Sequence, residues 1–150
     1  MSVQKNVQIV KDTFAAFGRG DMQGVLALLA DDIEWITPGE GLPFAGTHRG
    51  QAGVADFFQK ISEMFEISFL ETREFVSQGD LVLVVGFDRG RVKATNRTFE
   101  GHWVFAFTVR NGKVTNVREY IDTLVLARGF EMAASPRALP IETDTTRNDS

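Results

Sequence analysis

The sequence predicts an α+β fold in which helices at the front pack on an antiparallel sheet. Three observations carry this. Apolar residues recur at helical spacing through most of the first 65 residues. From about residue 67 the pattern changes to that of strands. Compact turn signals then cut the strand region at short intervals, as in hairpin-joined neighbours. A chain of 150 residues suits one domain with a sizeable core. Its 43% hydrophobic and 24% charged residues are ordinary for a soluble globular protein. The aromatic content is lopsided, with 13 Phe and 2 Trp against a single Tyr.

Val3, Val7, Val10, Phe14 and Phe17 fall three and four apart and predict a first helix with one apolar stripe. Gly18-Arg19-Gly20 ends it, because glycine accepts the left-handed conformation past a helix C-terminus. Asp21 is placed to cap a second helix whose apolar face is Met22, Val25, Leu26 and Leu29. So short a connection makes the pair an αα-hairpin. Residues 32–37 suit a short strand, and the Pro/Gly-rich stretch after it, from Pro38 to about His48, predicts an irregular loop. A third helix follows Arg49-Gly50, with Val54, Phe57, Phe58, Ile61 and Phe65 on its buried side.

Four strands are then predicted, at residues 67–76, 81–87, 99–109 and 114–121. The second is apolar throughout, as for a strand covered on both faces. Gln78-Gly79-Asp80, the stretch near Thr95-Asn96-Arg97, and Asn111-Gly112 supply the turns. Residues 124–132 suit a short terminal helix, and from 134 onward the chain reads as a polar tail, so the domain is drawn at 1–133 and the tail at 134–150. A curved sheet wrapped around helices leaves an open cone, a natural small-molecule pocket.

Composition excludes several functions. Without cysteine there is no disulfide, thiolate metal site or cysteine nucleophile. A net charge of −4 argues against nucleic acid or an anionic membrane as the main partner. The basic residues from Arg89 to Arg118 lack interleaved exposed aromatics and read as a solvated surface. No apolar run reaches the roughly 18 residues of a membrane span, the N-terminus lacks signal-peptide features, and a cytoplasmic location is expected. The only histidines, His48 and His102, are far apart with no carboxylate at ligand spacing, so no metal site is predicted. No glycine-rich phosphate loop occurs in a strand–helix context, and no cofactor is expected.

Three stretches carry a family resemblance: residues 26–35 (LALLADDIEW) with Pro38-Gly39, residues 99–114 (FEGHWVFAFTVRNGKV), and residues 118–123 (REYIDT). Across about residues 5–132 the chain resembles the SnoaL-like group of the NTF2-like superfamily, with its polyketide cyclases, ketosteroid isomerases and epoxide hydrolases. The resemblance implies an NTF2-like (cystatin-like) cone, and a homodimer through the outer sheet face. The steroid isomerase set does not carry over. Its base falls near Thr37, its oxyanion Asp near Phe105, and its helix-one Tyr near Phe14 or Phe17. The last strand matches better, because its Tyr-x-Asp ending resembles the segment that holds the acid–base Asp in SnoaL-type cyclases and epoxide hydrolases. That carries over to Asp122. The hydrolase pattern also wants Arg-x-Asp where this chain has Gly86-Phe87-Asp88, and a Tyr and Asn near 35–37 that are absent here.

The candidate catalytic residues are therefore Asp122, Tyr120, His48 and Asp88. Asp122 and Tyr120 share a strand face by alternation, and an apolar pocket there would raise the Asp pKa. Asp122 also stands where a helix N-cap belongs, and Tyr120 equally suits a half-buried strand aromatic. Asp88, inside an apolar run, belongs either at the pocket or at an exposed strand end beside Arg89 and Arg91. His48 follows the Pro/Gly loop and is placed to overhang the cone as a proton carrier, or is an ordinary surface histidine. His102 is expected on the outer sheet face. Trp35, Phe57, Trp103, Phe105 and Phe107 are candidate walls, or plain core. The function this implies is cofactor-free isomerase, cyclase or hydrolase chemistry on an apolar, oxygen-bearing metabolite. The alternatives are a ligand-binding module without turnover and a dimeric interaction module.

Overall fold

The computed structural model describes residues 2–131. Val3–Gly18 form helix α1, started by Ser2, whose hydroxyl accepts from the Lys5 amide. Its buried ridge is Asn6, Val10, Thr13 and Ala16, with Val7, Phe14 and Phe17 only partly covered and Val3 exposed. The predicted stripe is thus rotated on the helix. The small Thr13 and Ala16 allow close approach, and the two phenylalanines flank them. Helix α2 (Met22–Leu28) is capped by Asp21, whose carboxylate accepts from the Gly24 amide at 2.9 Å.

Strand β1 (Leu29–Thr37) is followed by a strand that the sequence did not announce, β2 (Gly46–Arg49). Gly39 and Gly41, both at positive φ, help reverse the chain, and β2 lies antiparallel on β1 with Trp35 opposite His48. The irregular loop is correspondingly shorter than predicted. Helix α3 (Gly50–Met64) buries Val54, Phe57 and Phe58. Phe65 already begins the long edge strand β3 (Phe65–Gln78). Strands β4 (Leu81–Val92), β5 (Thr98–Arg110) and β6 (Lys113–Ile121) complete the predicted meander, and helix α4 (Thr123–Gly129) follows. Asn111 and Gly112 join β5 to β6 with φ of 52° and 79°, as a tight two-residue hairpin turn requires. The terminal helix ends at Gly129, and Met132 and the tail lie outside the described residues.

The six strands run in the order β2-β1-β6-β5-β4-β3, with β1 parallel to β6 and all other pairs antiparallel. The concave face carries Trp35, Val82, Val84, Trp103, Phe107 and Val117 onto α1 and α3. Strand β4 differs from expectation in two ways. Its even-numbered side packs inward; on the convex side Leu81 is exposed and Leu83 and Val85 are half-buried, while Phe87 is covered by the side chains of Phe69, Arg73, Arg89 and His102. It also runs past Phe87 to Val92. Arg89 and Arg91 turn outward to Glu100 and Glu66, so Asp88 sits inside the strand on the concave side, not at its end.

Candidate functional site

A cavity of about 990 Å³ fills the cone between α1, α3, α4 and the concave sheet face. Its wall is mostly apolar and rich in aromatic rings, and three carboxyl groups interrupt it: Glu119 of β6, Asp88 of β4 and, at the rim, Asp122. Register explains the first two. Ile121 pairs with Trp103 and Glu119 with Phe105, so from Val117 onward, past the register shift that follows Val114, the odd residues of β6 face inward. Asp88 pairs with Gly101, whose missing side chain leaves the carboxyl uncrowded from that side.

Glu119 is only 8% exposed. The indole Nε1 of Trp35 donates to its Oε2 at 2.6 Å. The indole is held by Phe58 edge-on at 5.0 Å and Phe17 at 6.2 Å. Burial pushes the Glu119 pKa up to about 7; the Trp35 bond opposes this by favouring the charged form, and the charge of Asp88 adds to the rise. Asp88 is pushed up to about 6 by burial alone. Two carboxyl groups raised by different amounts in one apolar cavity are the arrangement from which an acid and a base are made.

At the rim, Asp122 accepts from the Val125 amide at 3.2 Å and so caps α4 while bordering the cavity. Lys11 also borders it, with its ammonium 5.1 Å from the Phe75 ring centre. Among the described residues no three His, Asp or Glu side chains converge as a metal site.

The predicted site residues are therefore dispersed. Trp35, Phe57, Trp103, Phe105, Asp88 and Asp122 border the cavity, whereas Phe107 is sealed in the core beneath it. Tyr120 does not share a face with the pocket. It is 56% exposed on the convex side, opposite Val104, because β6 alternates with Glu119 inward. Asp122 lies past the last strand residue, where alternation no longer governs direction. His48 does not overhang the cone. Its ring stacks on Phe57 at 4.1 Å, its Nε2 sits 3.1 Å from the Phe44 carbonyl oxygen, and burial lowers its pKa. The His102 ring packs on Phe87 at 5.0 Å on the convex side, as expected, although the residue borders the cavity rim. Thr37, Phe14 and Phe105 hold no acid–base group, and the Thr37 hydroxyl is buried without a partner among the described residues. Sequence reasoning missed Glu119. The signal was present in Val117-x-Glu119-x-Ile121, an inward series with one carboxylate in it.

The model of the SnoaL-like domain matches residues 10–117, and the chain belongs to that family. Its structure is similar to that of an NTF2-like protein of Burkholderia xenovorans LB400, at 67% identity and a TM-score of 0.80, covering 86% of this chain and 98% of that one. It is also similar to TerC, co-crystallised with polyporic acid, at 26% identity and a TM-score of 0.75, covering 85% and 98%. A protein of Mycobacterium tuberculosis is 26% identical over 120 residues, 80% of this chain and 91% of its own. The fold is thus the NTF2-like, cystatin-like cone, with its helices on the concave face of a curved six-stranded sheet.

Proposed function

We propose that this SnoaL-like protein binds an apolar, oxygen-bearing small molecule in the cone and moves a proton on it without a cofactor. Glu119 is the acid and Asp88 the base. The observation that carries this reading is a pair of carboxyl groups with raised pKa, Glu119 buried and Asp88 half-buried, in one aromatic-rich cavity. Asp88 ionises first and takes a proton from the carbon next to a ligand carbonyl. The electrons of that C–H bond form a C=C bond, and the carbonyl oxygen receives the proton of Glu119, giving the enol. Reversal returns a proton to carbon. Both groups are in the required state between about pH 6 and pH 7. Similarity to TerC, with its polyporic acid, supports a ligand that carries oxygen.

The test is exchange of the α-protons of 2-tetralone in deuterated buffer, followed by NMR. The protein is expected to accelerate exchange, and Glu119→Gln or Asp88→Asn to reduce that acceleration by about 10²–10⁴-fold. Binding of the ketone with no acceleration would replace catalysis by a ligand-binding role. We also propose a homodimer through the convex sheet face, supported by the exposed Phe69, Val76, Leu81 and Tyr120 there.

A further inference from the structure

Trp103 is 5% exposed, yet its indole N–H finds no acceptor among the described residues. Buried tryptophans ordinarily pair that group. The nitrogen is not sealed either. Among the described residues only Asn6 Oδ1 and Thr37 Oγ1 are buried, unpartnered side-chain polar atoms, and Trp103 borders the cavity. The ring is fixed in place. Phe14 stacks on it at 5.7 Å with planes 11° apart, and Phe105 lies 4.6 Å away. On the sheet side the ring edge of Cε2, Cζ2 and Cη2 lies over Gly86, where a β-carbon would collide with it. Nε1 is bonded to Cε2 and so belongs to that same edge. Gly86 is two residues before Asp88 on the same strand face, and Trp103 is two residues before Phe105, which pairs with Glu119.

We propose that Trp103 is the specificity-determining residue of the cavity: its indole N–H receives the carbonyl oxygen of an aryl or conjugated ketone and presents that carbonyl between Asp88 and Glu119. This rests on the cavity being the ligand site, as proposed above. The reasoning is that of an oxyanion-type donor. A rigid N–H fixed among aromatic rings costs no reorganisation when it meets an acceptor. It strengthens as negative charge builds on the oxygen, and, unlike a carboxyl group, it donates at every pH. The ligand class follows. An acceptor oxygen on a flat apolar body satisfies the N–H, whereas a hydrocarbon of the same shape leaves it unpaired.

Two nearly isosteric probes test this at pH 8, where both carboxyl groups are ionised and cannot donate: 2-acetylnaphthalene and 2-ethylnaphthalene. Their dissociation constants are measured by calorimetry on the wild type and on Trp103→Phe. The expected result is that the substitution weakens ketone binding about five- to tenfold relative to hydrocarbon binding. A second readout needs no folded variant. The Trp103 indole ¹⁵N–¹H resonance of the wild type is expected to move downfield with the ketone and not with the hydrocarbon. Equal loss of both probes together with an indole resonance that responds alike to both overturns the assignment of Trp103 and leaves the cavity as the ligand site. Failure of both probes to bind overturns the ligand-site reading, and this inference with it.

Discussion

Glu119 ties the site to the stability of the whole chain. Its folded pKa, about 7, lies above the ordinary 4.5. Between those values the folded state holds a proton that the unfolded state has released, so stability falls as pH rises through that window. The penalty is absent below about pH 4.5 and complete above about pH 7. Asp88 acts with the same sign between its ordinary 3.8 and about 6. Replacing Glu119 by Gln removes the larger part of this slope. Urea unfolding is expected to show the variant gaining on the wild type from pH 5 to pH 8, by about 3 kcal/mol at the upper end. A constant difference between the two proteins across that range would mean that Glu119 ionises normally. The substitution also keeps an oxygen to accept from Trp35, so lost packing does not mask the result.

Strand β6 and helix α4 show how much of the site was readable before folding, and where reading stopped. The strand, its hairpin turn and the helix after it all follow from local pattern: alternation, Asn111-Gly112, and a carboxylate at an N-cap. Which face of β6 looks inward does not. Tyr120 and Asp122 suggested one phase, and Val117, Glu119 and Ile121 carry the other. One residue of phase decides whether Tyr120 or Glu119 meets the cavity, and long-range pairing of Glu119 with Phe105 sets it. Asp88 was ambiguous for a similar reason, since nothing local tells that Arg89 and Arg91 find Glu100 and Glu66 on the far side. Asp122 serves as the cap of α4. Asp122→Ala is expected to cost about 1 kcal/mol in urea unfolding, and Asp122→Asn to cost little, because Asn caps as well as Asp. In the 2-tetralone assay Asp122→Asn should retain exchange within about twofold. Loss of exchange in that variant, with Glu119→Gln still active, would move the acid–base role to Asp122.

The molecule as a whole pairs a concave side, on which the helices close around the cavity, with a convex side that no described element covers. The cone was legible because it needs only element order and turn length: two helices, a strand, a third helix and a four-strand meander leave few other ways to bury the phenylalanines of α1 and α3. The uncovered side was less legible, for the apolar run Leu81–Phe87 looks the same whether its outward residues meet a helix, a second chain or water. Several features favour a second copy. Leu83, Val85, Val104 and Ala106 form a contiguous apolar patch across β4 and β5. Tyr120 and the Arg73 and Arg89 guanidiniums that lie about 5 Å over Phe87 border it. An apolar centre inside an aromatic and arginine-rich rim is the composition of a protein interface. Light scattering is expected to give twice the chain mass of 16.7 kDa. Leu83→Lys places a charge at the middle of the patch and should yield monomers. Far-ultraviolet circular dichroism of that variant should match the wild type, since residue 83 contributes nothing to the concave core. A wild type that runs as a monomer would sink the proposed dimer, and so would a Leu83→Lys variant that stays dimeric.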